Sequence, residues 1–340
     1  MKKVLFASTA LVAFTGVAAA EVALSGRAEM GIFKADSVSA AGVVTSNGAQ
    51  FFTDIDVTFT MSGETDNGLT FGASVDLDEG GAVSNATQNN ADDGGATIFI
   101  SGGFGTVTMG DTDGALDWAL TEAGNVGNPG SLADDETSHA GYLGSYLDGG
   151  GFTAAGARTG DGQILRWDYT SGAFGVAISL EDDNGSNVAN TGIGYAIGFK
   201  YSLDLSGTTV NFGIGHQKGA DNTGVVNDAK ATGVSVSASF ANGLSAGVTY
   251  TNMTNLPVDK HVGVGLGYTT GAFSIHANYG KYSGVTGIAD VSGYGIAAAY
   301  DLGGGAVVHF GYGSGDTTNA AGTATVGKAK TMSLGLGLSF

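Results

Sequence analysis

Residues 50–78 read QFFTDIDVTFTMSGETDNGLTFGASVDLD, and on both sides of the central GETDN every second residue is apolar. Phe51, Ile55, Val57, Phe59 and Met61 share one parity, opposite Asp54, Asp56, Thr58, Thr60 and Ser62; beyond the break Leu69, Phe71, Val75 and Leu77 alternate with Thr70, Ser74, Asp76 and Asp78. A period of two is that of a β-strand with one apolar and one polar face, and a short polar break joins antiparallel neighbours. Two carboxylates on the polar face of each strand are costly in a packed core and easily hydrated in a wet interior. The apolar face is therefore the covered one, and the carboxylates face water.

The same pattern recurs along the chain, predicting strands near 22–33, 50–62, 68–78, 95–102, 105–111, 163–170, 173–181, 192–204, 207–217, 229–240, 243–253, 260–270, 272–282, 290–301, 305–315 and 329–340. Breaks at 63–67, 103–104, 171–172, 205–206, 241–242, 271 and 303–305 are short and alternate strictly with longer ones. Sixteen antiparallel strands, with short turns and both chain ends on one side and long loops on the other, describe an all-β transmembrane barrel of the up-and-down type. A closed barrel pairs every backbone group in lipid, and one of this size encloses an aqueous channel. Tyr169, Phe174, Tyr201, Phe240, Tyr268, Phe273 and Tyr300 fall near the short turns, and Tyr195, Tyr250, Tyr279 and Tyr312 toward the long loops, as two interfacial girdles require.

The N-terminus has a basic start (Lys2, Lys3), an apolar run from Val4 to Val17 and Ala18-Ala19-Ala20 before Glu21. This is the form of a secretory signal, so residues 1–20 are expected to be cleaved and 21–340 to be the barrel. The run is too short for a good spanning helix, and no other apolar stretch approaches the required length. The chain has no cysteine and hence no disulfide framework; 61 glycines and few helix-favouring stretches argue against a helical protein. Without Lys2 and Lys3, 11 cations stand against 32 acidic residues, a net charge of −21. That excludes a nucleic-acid partner held through phosphate neutralisation.

One stretch lacks strand pattern: 111–162, and so long a structureless connection in a compact protein is either functional or a disordered acidic surface loop; here it is read as functional. It carries Asp111, Asp113, Asp117, Glu122, Asp134, Asp135 and Glu136, no lysine, and Arg158 near its end. Folded into the lumen, it would make an acidic constriction. By parity the wall facing it bears Arg27, Glu29, Asp54, Asp56, Arg166 and Lys200, whereas Lys328 and Lys330 point outward near the rim. No cofactor is expected. The one metal candidate is a structural calcium at Asp111, Asp113 and Asp117, where like charges repel unless a cation sits among them; the spaced aspartates of a calcium loop are missing. His216, His261, His276 and His309 occur singly on different strands, with no metal-ligand spacing, and His276 and His309 are read as polar lumen residues. Ser, His and Asp occur without a nucleophile elbow, so an enzyme is not expected.

The segments EVALSGRAEMGIF, FTMSGETDNGLTFGASV, ISGGFGTVTMGD, YTSGAFGVAIS, YDLGGGA and the closing LGLGLSF together resemble the general-diffusion porins of photosynthetic and related alphaproteobacteria. The resemblance spans nearly the whole chain after residue 20. It implies a homotrimer of sixteen-stranded barrels in the bacterial outer membrane, in contact with lipid and lipopolysaccharide, with a third extracellular loop folded inward to set the pore for small hydrophilic solutes and ions. It also implies that Phe340, after Leu334, Leu336 and Leu338, is read by the outer-membrane assembly machinery. Such porins set acidic loop residues against a basic wall; here the wall is thinly basic, and a weak cation preference is expected instead. The competing reading is a secreted, acidic β-rich adhesin or calcium-binding structural protein. Loop asymmetry, the terminal Phe and the lipid-compatible outer face favour the pore.

Overall fold

A computed structural model describes residues 21–80, 95–132, 136–144, 163–181, 193–219 and 228–340. The predicted signal at 1–20 and the expected loop residues Asp134 and Asp135 lie outside these. The barrel strands are β1 (Glu21–Ala35), β2 (Gln50–Glu64), β3 (Thr70–Gly80), β4 (Ala96–Gly102), β5 (Gly105–Gly110), β6 (Ile164–Ser171), β7 (Phe174–Glu181) and β8 (Gly194–Asp204). They continue as β9 (Thr208–Lys218), β10 (Lys230–Phe240), β11 (Leu244–Thr254), β12 (Val258–Thr270), β13 (Phe273–Gly284), β14 (Val291–Gly303), β15 (Ala306–Thr318) and β16 (Thr325–Ser339). Each pairs antiparallel with its sequence neighbours, and β1 pairs with β16 (Met30 opposite Leu336, Ala35 opposite Thr331), closing the barrel.

The parity read from the sequence holds. In β2 the residues Phe51, Ile55 and Phe59 are exposed on the outside, while Asp54 and Asp56 face in, opposite Glu29 and Arg27 of β1. Outward side chains form an apolar band, for example Ile214, Val236, Val264 and Leu266, edged at the short-turn end by Tyr169, Phe174, Tyr201, Tyr268 and Tyr300 and at the other end by Tyr195, Tyr250, Tyr279 and Tyr294. Exposure of so much apolar surface has one physical explanation, a hydrocarbon solvent. The seven turns at the first end are tight, and Gly243 (φ 90°) and Gly271 (φ 59°) supply the left-handed backbone that turns of this kind need.

Two sequence expectations need correction. Alternation of connection length is not strict, because β11 and β12 are joined at the long-loop end by only 255–257. Several strands also run past the predicted ends at that rim: β15 reaches Thr318 and β16 begins at Thr325, paired through Thr318 opposite Thr325. Above the lipid both faces are wet, so the ladder continues where the apolar alternation stops.

Candidate functional site

After β5 the chain turns inward. Where the sequence offered no pattern, Ala115–Ala119 form a short helix, α1, and Ala123–Asn125 a 3-10 turn. Both lie inside the barrel, α1 against β7, β8 and β9 and the 3-10 turn against β10 to β13. Leu116 and Ala115 are fully buried, in a cluster with Ala177, Ala196 and Ala231 of the wall. Further on, Leu132 packs between Phe33 and Phe52 of β1 and β2. The chain then returns along β13 to β15.

Two features of the wall make room for the loop and fasten it. The first is a run of inward glycines on consecutive strands. A Cβ at Gly198, Gly213, Gly265 or Gly280 would overlap the carbonyl oxygen of Ala115, Ala119, Ala123 or Gly141 respectively, so the loop backbone lies directly on the sheet, as only glycine permits. The second is a row of polar side chains that meet the loop's backbone groups. Ser179 Oγ accepts from Ala115 N (2.9 Å), Ser235 Oγ from Thr121 N (2.8 Å) and Thr249 Oγ1 from Ala123 N (3.0 Å). His276 Nδ1 donates to Val126 O (3.0 Å), His261 Nε2 to Gly141 O (2.9 Å) and the Tyr282 hydroxyl to Tyr142 O (2.9 Å). A backbone with so few regular bonds of its own needs such partners when it is buried.

Asn278 on β13 joins both limbs. Its Nδ2 donates to Gly124 O (3.0 Å) on the outgoing limb and Thr137 O (2.8 Å) on the returning one. Its Oδ1 accepts from Gly295 N (2.8 Å) and from His139 Nε2 (3.1 Å). His139 Nδ1 in turn accepts from Gly141 N at 3.1 Å. The ring is therefore held neutral in one tautomer, and burial pulls its pKa down to about 4. Sequence reasoning missed His139, because it lies in the unpatterned loop. It read His276 and His309 as lumen residues, whereas the loop covers His276 and leaves it 1% exposed.

The loop thus lines β7 to β15 and reaches β1, β2 and β16 at Leu132, and the passage runs beside the charged residues of β1 to β6. There the predicted wall residues face in. Arg27 Nε donates to Glu29 Oε1 (3.0 Å), and Arg166 Nε to Asp168 Oδ1 (3.1 Å) while Arg166 Nη1 holds Asp113 O (2.7 Å). Each arginine thus has a carboxylate two residues away on its own strand. Asp76 accepts from Thr58 Oγ1 at 2.8 Å. Lys200 Nζ sits 3.4 Å from the centre of the Trp118 ring of α1, a cation–π contact that joins loop to wall and was not anticipated.

The loop carboxylates divide. Asp111 and Asp113 are exposed, and Asp117 and Glu122 half-buried. Glu122 accepts from the Tyr142 hydroxyl (2.6 Å) and Asn125 Nδ2 (2.7 Å), and burial raises its pKa. Glu136 is a correction: it is fully buried behind the loop against Gly311, with Oε2 accepting from Ser131 Oγ at 2.7 Å, and does not line the passage. Nor do Asp111, Asp113 and Asp117 converge, since among the described residues no three His, Asp or Glu side chains are placed to hold a metal ion.

The profile of the Gram-negative porin family matches residues 7–320. A porin of Rhodobacter capsulatus is 29% identical over 327 residues, covering 90% of this chain and 98% of that one. A porin structure refined at 1.8 Å superimposes with a TM-score of 0.67 at 26% identity, over 94% of this chain and all of the other. A triple mutant of the Rhodopseudomonas blastica porin has the same fold, with a TM-score of 0.63 at 17% identity over 94% of this chain and all of its own.

Proposed function

The chain belongs to the Gram-negative porin family, a multi-pass barrel of the bacterial outer membrane, and from that premise we propose that its lumen passes small hydrophilic solutes and ions by passive diffusion with a weak preference for cations. The observation that carries the preference is the distribution of charge along the open side. Glu29, Asp54, Asp56, Asp76, Asp113, Asp117 and Asp168 stand against Arg27, Arg166 and Lys200, and both arginines are already matched by a carboxylate on their own strand. A channel lined in this way has an excess of fixed negative charge and no separate positive face. Acidic linings favour cations, and screening over roughly 8 Å at physiological salt keeps the effect modest in a wide pore.

A homotrimer, with Phe340 presented to the outer-membrane assembly machinery, completes the reading; the exposed Phe340 side chain at the short-turn end supports the second point. The test of selectivity is a reversal potential in a potassium chloride gradient across a planar bilayer. The protein should favour potassium, less so as salt rises, and replacing Asp111, Asp113 and Asp117 by Asn should reduce the preference. An anion preference in the unaltered protein, or no change on replacement, would overturn the acidic-lining reading.

A further inference from the structure

At the long-loop end the barrel holds a pocket of about 860 Å³ whose chemistry differs from that of the passage. It lies between the returning limb of the inner loop at 138–140, the extended ends of β15 and β16, and the first outer loop at 38–40, with Pro257 and Ile288 reaching in from two neighbouring loops. Its size falls in the range of roughly 300–1,000 Å³ common for pockets that hold small organic ligands.

The walls are fixed in place. In the first outer loop Ser37 pairs with Thr45 and Val38 with Val44, making a short hairpin. Thr317 Oγ1 donates to Gly42 O (3.0 Å), and a Cβ on Gly42 (φ 78°) would overlap Thr318 O, so the hairpin tip lies directly on the rim of β15. Asp36 N donates to Lys330 O (2.9 Å), and Lys330 N to Asp36 Oδ2 (3.1 Å). Across the pocket Ala289 N donates to Gly322 O (2.9 Å) and Val285 N to Pro257 O (3.0 Å). A pocket braced by backbone bonds on several sides is preformed, and little ordering is left for a ligand to impose.

Among the described residues no ionised side chain faces this space. Asp316, at its edge, lies on the outward parity and is taken up by Lys328 Nζ (2.7 Å) and the Ser292 hydroxyl (2.7 Å). His139 is neutral, with one ring nitrogen bonded to Asn278 and the other accepting from Gly141 N. What lines the pocket instead is hydroxyl and hydrocarbon. Ser39 Oγ accepts from Val43 N (3.1 Å) and keeps its own proton to donate. The hydroxyls of Ser138 and Thr331 make no hydrogen bond to another described residue. Between them stand Ala140, Pro257 and Ile288.

We propose that this pocket binds a neutral sugar of about disaccharide size and collects it at the outer mouth before it enters the charged passage. A sugar carries hydroxyls that donate and accept, as the wall hydroxyls do, and C–H faces that suit Ala140, Pro257 and Ile288. An ion entering the pocket would lose hydration and find no opposite charge. The proposal rests on the reading of the barrel as a channel for small hydrophilic solutes, and it adds a saturable binding step that passive diffusion does not need.

The full-length protein would be recorded in a planar bilayer in potassium chloride with rising sucrose, and with a polyethylene glycol of similar length. Sucrose binding would be measured in parallel by saturation-transfer NMR in detergent. Sucrose should lower the current along a saturating curve in the millimolar range, and the glycol only in proportion to its concentration. Ser138→Ala combined with Thr331→Val should weaken sucrose binding roughly tenfold, whereas Thr331→Ser keeps the hydroxyl and should bind as the unaltered protein does. Deacetylated chitobiose, a cationic disaccharide, should not displace sucrose; displacement would place the sugar among the carboxylates of the passage and overturn the proposal. So would a linear response to sucrose, or an unchanged affinity in the double variant. If that variant does not fold, the sucrose, glycol and chitobiose responses of the unaltered protein decide. Absence of conductance in the unaltered protein would instead count against the channel, while the NMR titration still reports on the pocket.

Discussion

Replacing Asn278 by Ala removes a wall side chain that bonds both limbs of the inner loop, and its consequence can be worked out bond by bond. Three of its four hydrogen bonds go to the loop, at Gly124 O, Thr137 O and His139 Nε2; the fourth, from Gly295 N, is within the barrel wall. At about 1 kcal/mol net for each, losing the three costs the seated loop about 3 kcal/mol, a factor of roughly 100 in the ratio of seated to locally detached loop. The strand ladders do not depend on this side chain, so the barrel should remain. Asn278→Asp should be worse, since it keeps the acceptor but turns a carboxylate toward two carbonyls. The assay is open-channel noise in single-channel recordings together with the sugar exclusion limit in liposome swelling. The Ala variant should show steps between two conductance levels and admit larger sugars. A folded variant with a quiet current and the original exclusion limit would refute the idea that Asn278 sets the loop.

Three further outcomes follow from the same geometry. Deleting residues 115–135 should raise single-channel conductance and admit larger sugars, and an unchanged exclusion limit would place the loop outside the passage. Deleting Phe340 should lower the amount of folded protein in the outer membrane while leaving refolding in detergent nearly intact, because its side chain is 77% exposed and its backbone pairs with Gly26 alone (Phe340 N to Gly26 O, 2.9 Å; Gly26 N to Phe340 O, 3.4 Å); normal levels in the membrane would contradict this. Loop seating should also weaken as pH falls. The seated His139 has its pKa depressed from 6.5 to about 4, so its contribution is present above 6.5 and lost as pH falls toward 4. At 1.36 kcal/mol per unit this amounts to about 3 kcal/mol, and current noise should rise over that window and not in His139→Gln. Glu122, whose pKa burial raises from 4.5, has the opposite slope, its contribution being lost as pH rises from there.

The barrel was legible because lipid imposes a rule on every second residue. Phe51, Ile55, Val57 and Phe59 could not be polar, and Asp54 and Asp56 could not lie on their side, whatever else the chain did. The rule lapses above the membrane, which is why Thr318 and Thr325 were left out of their strands. It is equally silent about the loop. Nothing local distinguishes Glu136 from Asp113, although the first is sealed behind the loop and the second faces the passage. That difference arises only when Gly311 and Ser131 meet the Glu136 side chain in space.

The glycines show that more could have been read. Gly198, Gly213, Gly215, Gly233, Gly247, Gly265 and Gly280 recur on the inward parity of consecutive strands β8 to β13, while inward residues of β1, β2 and β6 are charged. A side of a wet lumen with no side chains gains nothing from water, since glycine costs strand stability and packs nothing. Its recurrence strand after strand along that arc requires a second backbone lying against it. The only stretch long enough to reach it is 111–162, and the Ser, Thr, His and Asn side chains between the glycines supply the bonds that such a backbone needs. The side on which the loop lies, and with it the side left open for the charged residues of β1, β2 and β6, is thus encoded in where the wall has glycine and where it has charge.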